Sequence, residues 1–184
     1  MAVEASDIVF NPMAFLTLTS LMTALCVYPS AVLAGAETGG LPPLTADKVV
    51  VKKADRQLLL MRDGRLLLGF VIALGDEPVG HKQAEGDWRT PEGTYVIDWR
   101  NAESRFYKSL HISYPNAADR QRALEEWEDP GGMIMIHGVP DEAGASPDKY
   151  AGKDWTNGCI AVTNAAMDII WSAVPDGTPI DILP

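Results

Sequence analysis

Cysteine is scarce in this sequence, with only Cys26 and Cys159 among 184 residues. Cys26 lies inside an apolar N-terminal run, and the large Leu25 before it argues against lipid attachment. If that run is removed during export, Cys159 is the only remaining thiol and has no partner for an internal disulfide. Because a lone cysteine is often a small buried hydrophobe, the residues around Cys159 must decide whether it is reactive.

Positive charge is also in short supply. Lys and Arg number 15 against 25 Asp and Glu, which gives a formal net charge of −10. Nucleic-acid binding requires basic patches, so we predict no nucleic-acid partner. The sequence has no polybasic segment that would bind a membrane surface. It also has no His, Cys and Asp grouping at the spacing of metal ligands, so we predict no metal and no other cofactor.

The N-terminal region lacks basic residues altogether, since none precedes Lys48. Residues 1–36 are largely apolar, and Val32-Leu33-Ala34 and Ala34-Gly35-Ala36 fit the small-x-small cleavage pattern. This segment predicts a signal peptide, with the missing positive charge explained if translation starts at Met13. The alternative is an uncleaved anchor, because the run is just long enough to span a bilayer. Both interpretations predict a periplasmic or cell-envelope protein, which would contact the membrane only through this segment and only if the segment is uncleaved.

After a Gly-, Pro- and Thr-rich linker at 37–46, residues 47–184 predict one β-rich domain. Asp63-Gly64 predicts a tight hairpin between two apolar runs. The second run, from Arg65 to Gly75, is so continuously apolar that we expect a strand buried on both faces. Residues 133–136 predict another buried strand, which ends at His137.

Helical patterns are fewer. Residues 117–128 predict a surface helix whose charges form a solvated face, and Asn164 is a candidate N-cap for a second helix. His81 lies in a polar loop and is expected to be solvated. Because strands outnumber helices, the fold class is mainly β (α+β), as a β-sandwich or partly closed barrel with one or two packed helices.

Two short blocks contain the residues for nucleophilic chemistry. His137-Gly138 ends an apolar run, and Thr156-Asn157-Gly158-Cys159 places a glycine directly before the cysteine. A thiol nucleophile needs a base to accept its proton and a group that orients that base. Cys159 and His137 are candidates for nucleophile and base. Gly158 permits a sharp turn, so the backbone amides of Asn157, Gly158 and Cys159 are candidate oxyanion donors.

These blocks resemble the L,D-transpeptidase family (YkuD-type catalytic domain), whose signature is a His-Gly followed, after a spacer, by Ser/Thr-His-Gly-Cys. Here Asn157 stands where the signature has a second histidine, and Ala161 stands where many members carry an arginine. The block Asp154-Trp155-Thr156-Asn157-Gly158-Cys159-Ile160-Ala161 indicates a branch of that family. The resemblance runs from Asp47 to Pro184 and identifies 47–184 as the catalytic domain.

The resemblance implies cysteine-dependent acyl transfer on peptidoglycan stem peptides, through a thioester at the third stem residue. The backbone carbonyl of Gly138 would orient His137, with Asp154 as a less favoured orienting group. The acyl group would pass to an amine, giving an L,D-transpeptidase, or to water, giving an L,D-carboxypeptidase. Amidases and a catalytically silent wall-binding module are further alternatives. The resemblance also implies acylation by carbapenems and requires no cofactor.

Several candidate residues keep two interpretations. His111 either contacts substrate or is a satisfied structural histidine. Thr156 either hydrogen-bonds near the thiol or caps a turn, and Trp155 either lines the pocket or packs in the core. Asn157 is either an exposed loop residue or a side chain that lines the oxyanion pocket.

Overall fold

A computed structural model of the protein describes residues 44–140, 150 and 153–184. The predicted export segment and all but the last three residues of the predicted linker lie outside this part of the chain. Within the described residues, no helix is both long enough and apolar enough to cross a membrane.

The described residues form an eight-stranded sheet with two helices. The strands are β1 (Lys48–Lys52), β2 (Gln57–Arg62), β3 (Arg65–Val71), β4 (Gly93–Ser104), β5 (Tyr107–Ile112), β6 (Met135–His137), β7 (Ile160–Ala161) and β8 (Thr178–Leu183), and the helices are α1 (Ala117–Glu126) and α2 (Asn164–Ala173). Their order across the sheet is β3-β2-β1-β8-β4-β5-β6-β7. The pairs β1–β8 and β6–β7 are parallel, and the other neighbours are antiparallel.

The sheet curls back on itself just after β3. Ala73 pairs with Ala161 of β7, at the opposite end of the strand order, through two reciprocal N–H···O bonds of 2.8 Å. A pair of bonds between the two ends of a sheet bends it into a half-barrel. The predicted mainly β (α+β) fold with a partly closed barrel and packed helices is therefore confirmed.

Alternating side chains fill the interior of the half-barrel. Val49 and Val51 of β1 and Leu58 and Leu60 of β2 are fully buried, which is the two-residue period expected of strands with one face on a core. Helix α2 packs against β5 and buries residues at helical spacing, Met167, Ile170 and Ala173. This core fixes the positions of β5 and β6, the strands next to the cysteine block.

Strand β3 differs from its prediction. The strand ends at Val71 and occupies the edge of the sheet, with β2 as its one neighbour in the strand order. Leu66 and Val71 are therefore exposed, and no residue of β3 is fully buried. The apolar run does not mark burial on both faces, because an edge strand that flanks a curled sheet has one face open.

Polar residues near α1 are also more buried and more extensively hydrogen-bonded than predicted. The Nδ1 atom of His81 accepts a bond from the Glu92 amide at 2.9 Å, and its Nε2 lies 3.1 Å from a carboxylate oxygen of Asp119. Asp119 is itself buried, and it completes a capping box with Asn116 at the start of α1. The predictions that His81 is solvated and that Asp119 lies on a solvated face are therefore wrong.

A buried lysine fastens the long segment between β3 and β4 to the sheet. The Lys53 ammonium donates to the carbonyls of Gly80 and Thr90 at 2.5 and 3.0 Å and to Glu92 at 2.8 Å. These three acceptors use all three donors of the ammonium group. Burial nevertheless lowers the pKa of Lys53, although Glu92 acts in the opposite direction.

Replacing Lys53 with Met should therefore lower the free energy of unfolding by about 1–3 kcal/mol, because buried acceptors lose their donor. Urea denaturation would measure the change. Lys52→Met is the matched control, since the Lys52 side chain is 44% exposed and should shift stability by less than about 0.5 kcal/mol. Equal effects at the two positions would contradict the anchoring role of Lys53.

Candidate active site

Strand β6 positions His137 at one end of the sheet. Ser109 of β5 pairs with His137 on one side, and Ala161 of β7 pairs with it on the other. Because strands flank it on both sides, the histidine is only 3% exposed. The strand is shorter than predicted and starts at Met135. Met133, predicted to be buried, is exposed and has a φ of +55°.

Cys159 lies immediately before β7. Since Ile136 pairs in parallel with Ile160, Cys159 lies beside Met135, and alternation directs its side chain to the same face as His137. The thiol is half-buried and donates to the carbonyl of Met133 at 3.6 Å. Cys159 and His137 both line one cavity of about 710 Å³. The structure therefore brings the predicted nucleophile and base to a common cavity.

The turn before Cys159 is held by the buried hydroxyl of Thr156. That hydroxyl donates to the Cys159 carbonyl at 2.7 Å and accepts from the Gly158 amide at 3.1 Å. Gly158 has a φ of +114°, and a Cβ there would lie 2.5 Å from the Arg89 carbonyl oxygen. Only glycine fits this conformation and this close approach. Of the two interpretations of Thr156, the structure supports the turn cap.

The same hydrogen bonds correct one sequence-based prediction. The Gly158 amide is already engaged by Thr156, so the structure does not support its predicted role as an oxyanion donor. The amides of Asn157 and Cys159 remain candidates. Asn157 is exposed and also lines the cavity, and its role beside the oxyanion stays a prediction.

Aromatic rings enclose the imidazole of His137. The Phe106 ring centroid lies 4.7 Å from that of His137, and the Trp155 ring lies edge-on at 5.7 Å. Trp155 also contacts the ring of Tyr150 at 4.6 Å, so it is both a cavity wall and a packing residue. Phe106 directly precedes β5, and nothing in the sequence pattern marked it as a site residue.

The hydrogen bond at Nδ1 defines the tautomer of His137. That nitrogen lies 2.6 Å from the carbonyl oxygen of Gly138. A carbonyl only accepts, so Nδ1 carries the proton and Nε2 of the neutral ring has the free lone pair. The contact that the resemblance implies between His137 and Gly138 is thus present. Burial lowers the pKa of His137, although the bond to Gly138 raises it in part.

Burial has the opposite effect on the thiol. It raises the pKa of Cys159, while a backbone hydrogen bond at Met135 and the positive charge of Lys82 act to lower it. A lowered imidazole pKa and a raised thiol pKa both favour neutral groups. At neutral pH the resting site therefore holds a thiol and an unprotonated imidazole, not a thiolate and an imidazolium.

Asn164 fixes the backbone that orients His137, a role the sequence did not indicate. Thr163 is the N-cap of α2, so the prediction of Asn164 as N-cap is wrong by one residue. The Asn164 side chain instead accepts from the Val139 amide at 2.8 Å. It packs so closely on Gly138 that a Cβ at that glycine would lie 2.3 Å from its Oδ1.

Asp154 does not act on the histidine in this structure. Its carboxylate binds the Arg56 guanidinium, with Nη2 and Nε at 2.6 and 3.0 Å, and accepts from the Leu74 amide at 2.8 Å. These contacts join the cysteine block to the segment that follows β3. The alternative in which Asp154 orients His137 is therefore not supported.

His111 lies outside the cavity. Its Nδ1 is 2.6 Å from a carboxylate oxygen of Asp98, and its ring stacks on Trp99 at 4.7 Å. It is not among the residues that line the cavity. These contacts favour the structural interpretation of His111 over the substrate-binding one.

A family model for YkuD, the L,D-transpeptidase catalytic domain, matches residues 46–182. Fold, cavity and match together show that the chain belongs to the YkuD L,D-transpeptidase family. It is 34% identical over 114 residues to a protein of Escherichia coli K12 described as the putative L,D-transpeptidase YafK. That match covers 60% of this chain and 38% of YafK, so the chain spans well under half of that relative.

Two solved structures have a similar fold. The helical cell shape determining protein Pgp2 from Campylobacter jejuni is 25% identical, with a TM-score of 0.56 over 78% of this chain and 51% of Pgp2. Bd1075 from Bdellovibrio bacteriovorus is 20% identical, with a TM-score of 0.52 over 78% of this chain and 54% of Bd1075. The second likeness supports the fold alone.

The close packing of Gly138 against Asn164 predicts that Gly138→Ala is destabilising by about 1–3 kcal/mol, the usual cost of overpacking. Gly132→Ala is the control, because its Cβ would meet nothing nearer than 3.8 Å, and its effect should stay within about 1 kcal/mol. Adding Asn164→Ala to the Gly138 variant should restore part of the loss. Thermal and urea unfolding would measure all three, and a Gly138 variant as stable as the wild type would contradict the packing described.

The neutral resting state predicts a high pH midpoint for alkylation of Cys159. Thiolate is the reactive form, and burial raises the pKa of this thiol. The rate of reaction with iodoacetamide should therefore still be rising above about pH 8.5, the ordinary pKa of cysteine. The measurement uses a Cys26→Ser protein, with glutathione as reference. A midpoint near or below neutrality would instead indicate a resting thiolate–imidazolium pair.

Proposed function

We propose that this domain is an L,D-transpeptidase that acts on peptidoglycan stem peptides in the cell envelope. The observation that supports this most directly is the shared cavity of Cys159 and His137, with Nδ1 of the histidine held by the Gly138 carbonyl. The family to which the chain belongs supports the same chemistry. Export through residues 1–36 and an envelope location are part of the proposal.

The proposed reaction proceeds in two acyl transfers. Nε2 of His137 takes the thiol proton as the Cys159 sulfur attacks the carbonyl of the third stem residue. The amides of Asn157 and Cys159 stabilise the oxyanion. The protonated imidazole then gives its proton to the leaving amine, so that a thioester remains and D-Ala departs. An acceptor amine attacks the thioester, His137 takes the amine's proton, and the thiol is regenerated.

Burial suits this role for the histidine. A general base must be unprotonated at the working pH, and burial lowers the pKa of His137, which favours the unprotonated imidazole. The half-buried thiol that lines an open cavity weighs against a catalytically silent module, because a peptide carbonyl requires access to the sulfur.

Intact mass after exposure to a carbapenem tests the nucleophile without the natural substrate. The wild-type chain should gain one carbapenem, located at Cys159, and Cys159→Ala should gain none. His137→Ala should be acylated at least about 100-fold more slowly than the wild type, since it lacks the base. His111→Ala is the control and should react within about threefold of the wild type, because His111 lies outside the cavity.

Digestion of purified sacculi after incubation identifies the acceptor. New 3→3 crosslinked muropeptides would support transpeptidation. Tripeptides alone would mean that water accepts the acyl group and that the domain is an L,D-carboxypeptidase. Unchanged muropeptides together with an unmodified Cys159 would overturn the proposed function.

A further inference from the structure

The lining of the catalytic cavity includes a second buried lysine. The Lys82 side chain is only 3% exposed, yet it contributes to the cavity that contains Cys159. Its ammonium donates to the Ala84 carbonyl at 3.0 Å and to Asp87 at 2.8 Å. An ammonium group has three donors, and these two acceptors are the ones that the described residues supply.

Comparison with Lys53 shows what is unusual about Lys82. Lys53, buried to the same degree, satisfies all three donors with protein acceptors and does not line the cavity. Among the described residues, Lys82 has acceptors for two of its three ammonium donors, so one donor remains for a ligand. Burying a charge with a donor unused is costly, so the arrangement is better explained if a ligand supplies the third acceptor.

The loop around Lys82 does not need the cation in order to fold. Asp87 organises this loop by accepting from the amides of Gln83, Ala84 and Arg89, at 2.6, 3.1 and 3.0 Å. Burial raises the pKa of Asp87, but the hydrogen bond from Lys82 and those from the three amides lower it overall. Lys82 is therefore one of four groups that stabilise this carboxylate, and the three amides still define the turn without it.

The charge of Lys82 reaches the reactive end of the cavity. Burial raises the pKa of Cys159, and the positive charge of Lys82 is among the causes that act to lower it. Lys82 and Arg105 are the cations that line the cavity, against Glu85 in the lining and Asp87, which pairs with Lys82 but does not line the cavity. Two cations that face a cavity in a protein with a net charge of −10 favour an anionic ligand there.

We propose that Lys82 binds a carboxylate of the peptide that Cys159 attacks, so that the enzyme selects peptides with a free carboxylate next to the scissile bond. This proposal rests on the proposed function for the identity of the peptide. Lys82 acts in recognition, through a charge-assisted hydrogen bond from a fixed position. Its effect should appear in the discrimination between an acid and its neutral analogue.

Binding is measured in a Cys159→Ala background, so that the result does not depend on turnover. The ligands are a stem tetrapeptide that ends in D-Ala and the same peptide with a C-terminal amide. The Cys159→Ala protein should bind the acid about 10- to 100-fold more tightly than the amide, as expected for a hydrogen bond between charged groups. Adding Lys82→Met should reduce this preference to about twofold, with little change in the affinity for the amide.

Two further variants separate recognition from a structural role. Lys82→Gln keeps a donor for Ala84 and Asp87 but removes the charge, so it should fold normally and lose the preference for the acid. Lys52→Met, on an exposed lysine of β1, should retain the full preference. Thermal unfolding confirms that each variant is folded.

The outcomes decide the proposal independently of catalysis. Equal loss of affinity for acid and amide in both Lys82 variants, an unchanged preference, or no binding of either peptide would overturn the role of Lys82. Failure of the proposed function would appear elsewhere, as absence of acylation at Cys159 in the wild-type enzyme.

Discussion

The active-site geometry depends on how the cysteine block is held between two parts of the sheet. On one side, Trp155 and Thr156 donate to the Leu74 carbonyl, and Ala161 exchanges two bonds with Ala73. On the other side, β7 runs parallel to β6, and the Val162 amide donates to the His137 carbonyl at 2.9 Å. Cys159 therefore cannot move relative to His137 without breaking main-chain bonds on both flanks. Preorganised positions of this kind spare the enzyme the cost of ordering its groups during the reaction.

Desolvation follows from the same arrangement and sets the chemistry of the resting site. Phe106 and Trp155 cover the imidazole, and the sheet buries its other side. Low exposure disfavours charge on both partners, which is why the pKa of His137 falls and that of Cys159 rises. In the proposed mechanism, charge develops only when the thiol proton moves to Nε2 during attack. The orienting bond to Gly138 would become stronger when the ring carries that charge, so it would stabilise the reacting state more than the resting state.

Local patterns predicted the fold class and the two candidate residues that the structure brings to one cavity, Cys159 and His137. The glycine before Cys159, the His-Gly pair and the alternating strands could all be recognised in short windows. The contacts of Phe106 and Asn164 could not, since they join segments far apart in the chain. The hydrogen bonds of Lys82 are local, but its place in the cavity wall depends on distant segments. Leu66 and Val71 show a second limit of prediction from sequence patterns. An apolar run does not reveal whether its strand lies at the centre or at the edge of a sheet. The predicted oxyanion role of Gly158 is not supported for a third reason. The Thr156 hydroxyl accepts a hydrogen bond from the Gly158 amide, and the sequence does not show that contact.

The two departures from the family signature have different structural consequences. Position 157 is exposed at the turn, whereas Thr156 and Gly158 on either side are buried and fixed, so an asparagine there leaves the turn unchanged. Ala161 is 3% exposed and is hydrogen-bonded to Ala73 at the closure of the half-barrel. The alanine therefore brings no charge to this position. Positive charge in the cavity comes instead from Lys82 and Arg105, which belong to other segments of the chain. This chain therefore combines a small residue at the closure of the half-barrel with cations in the cavity wall.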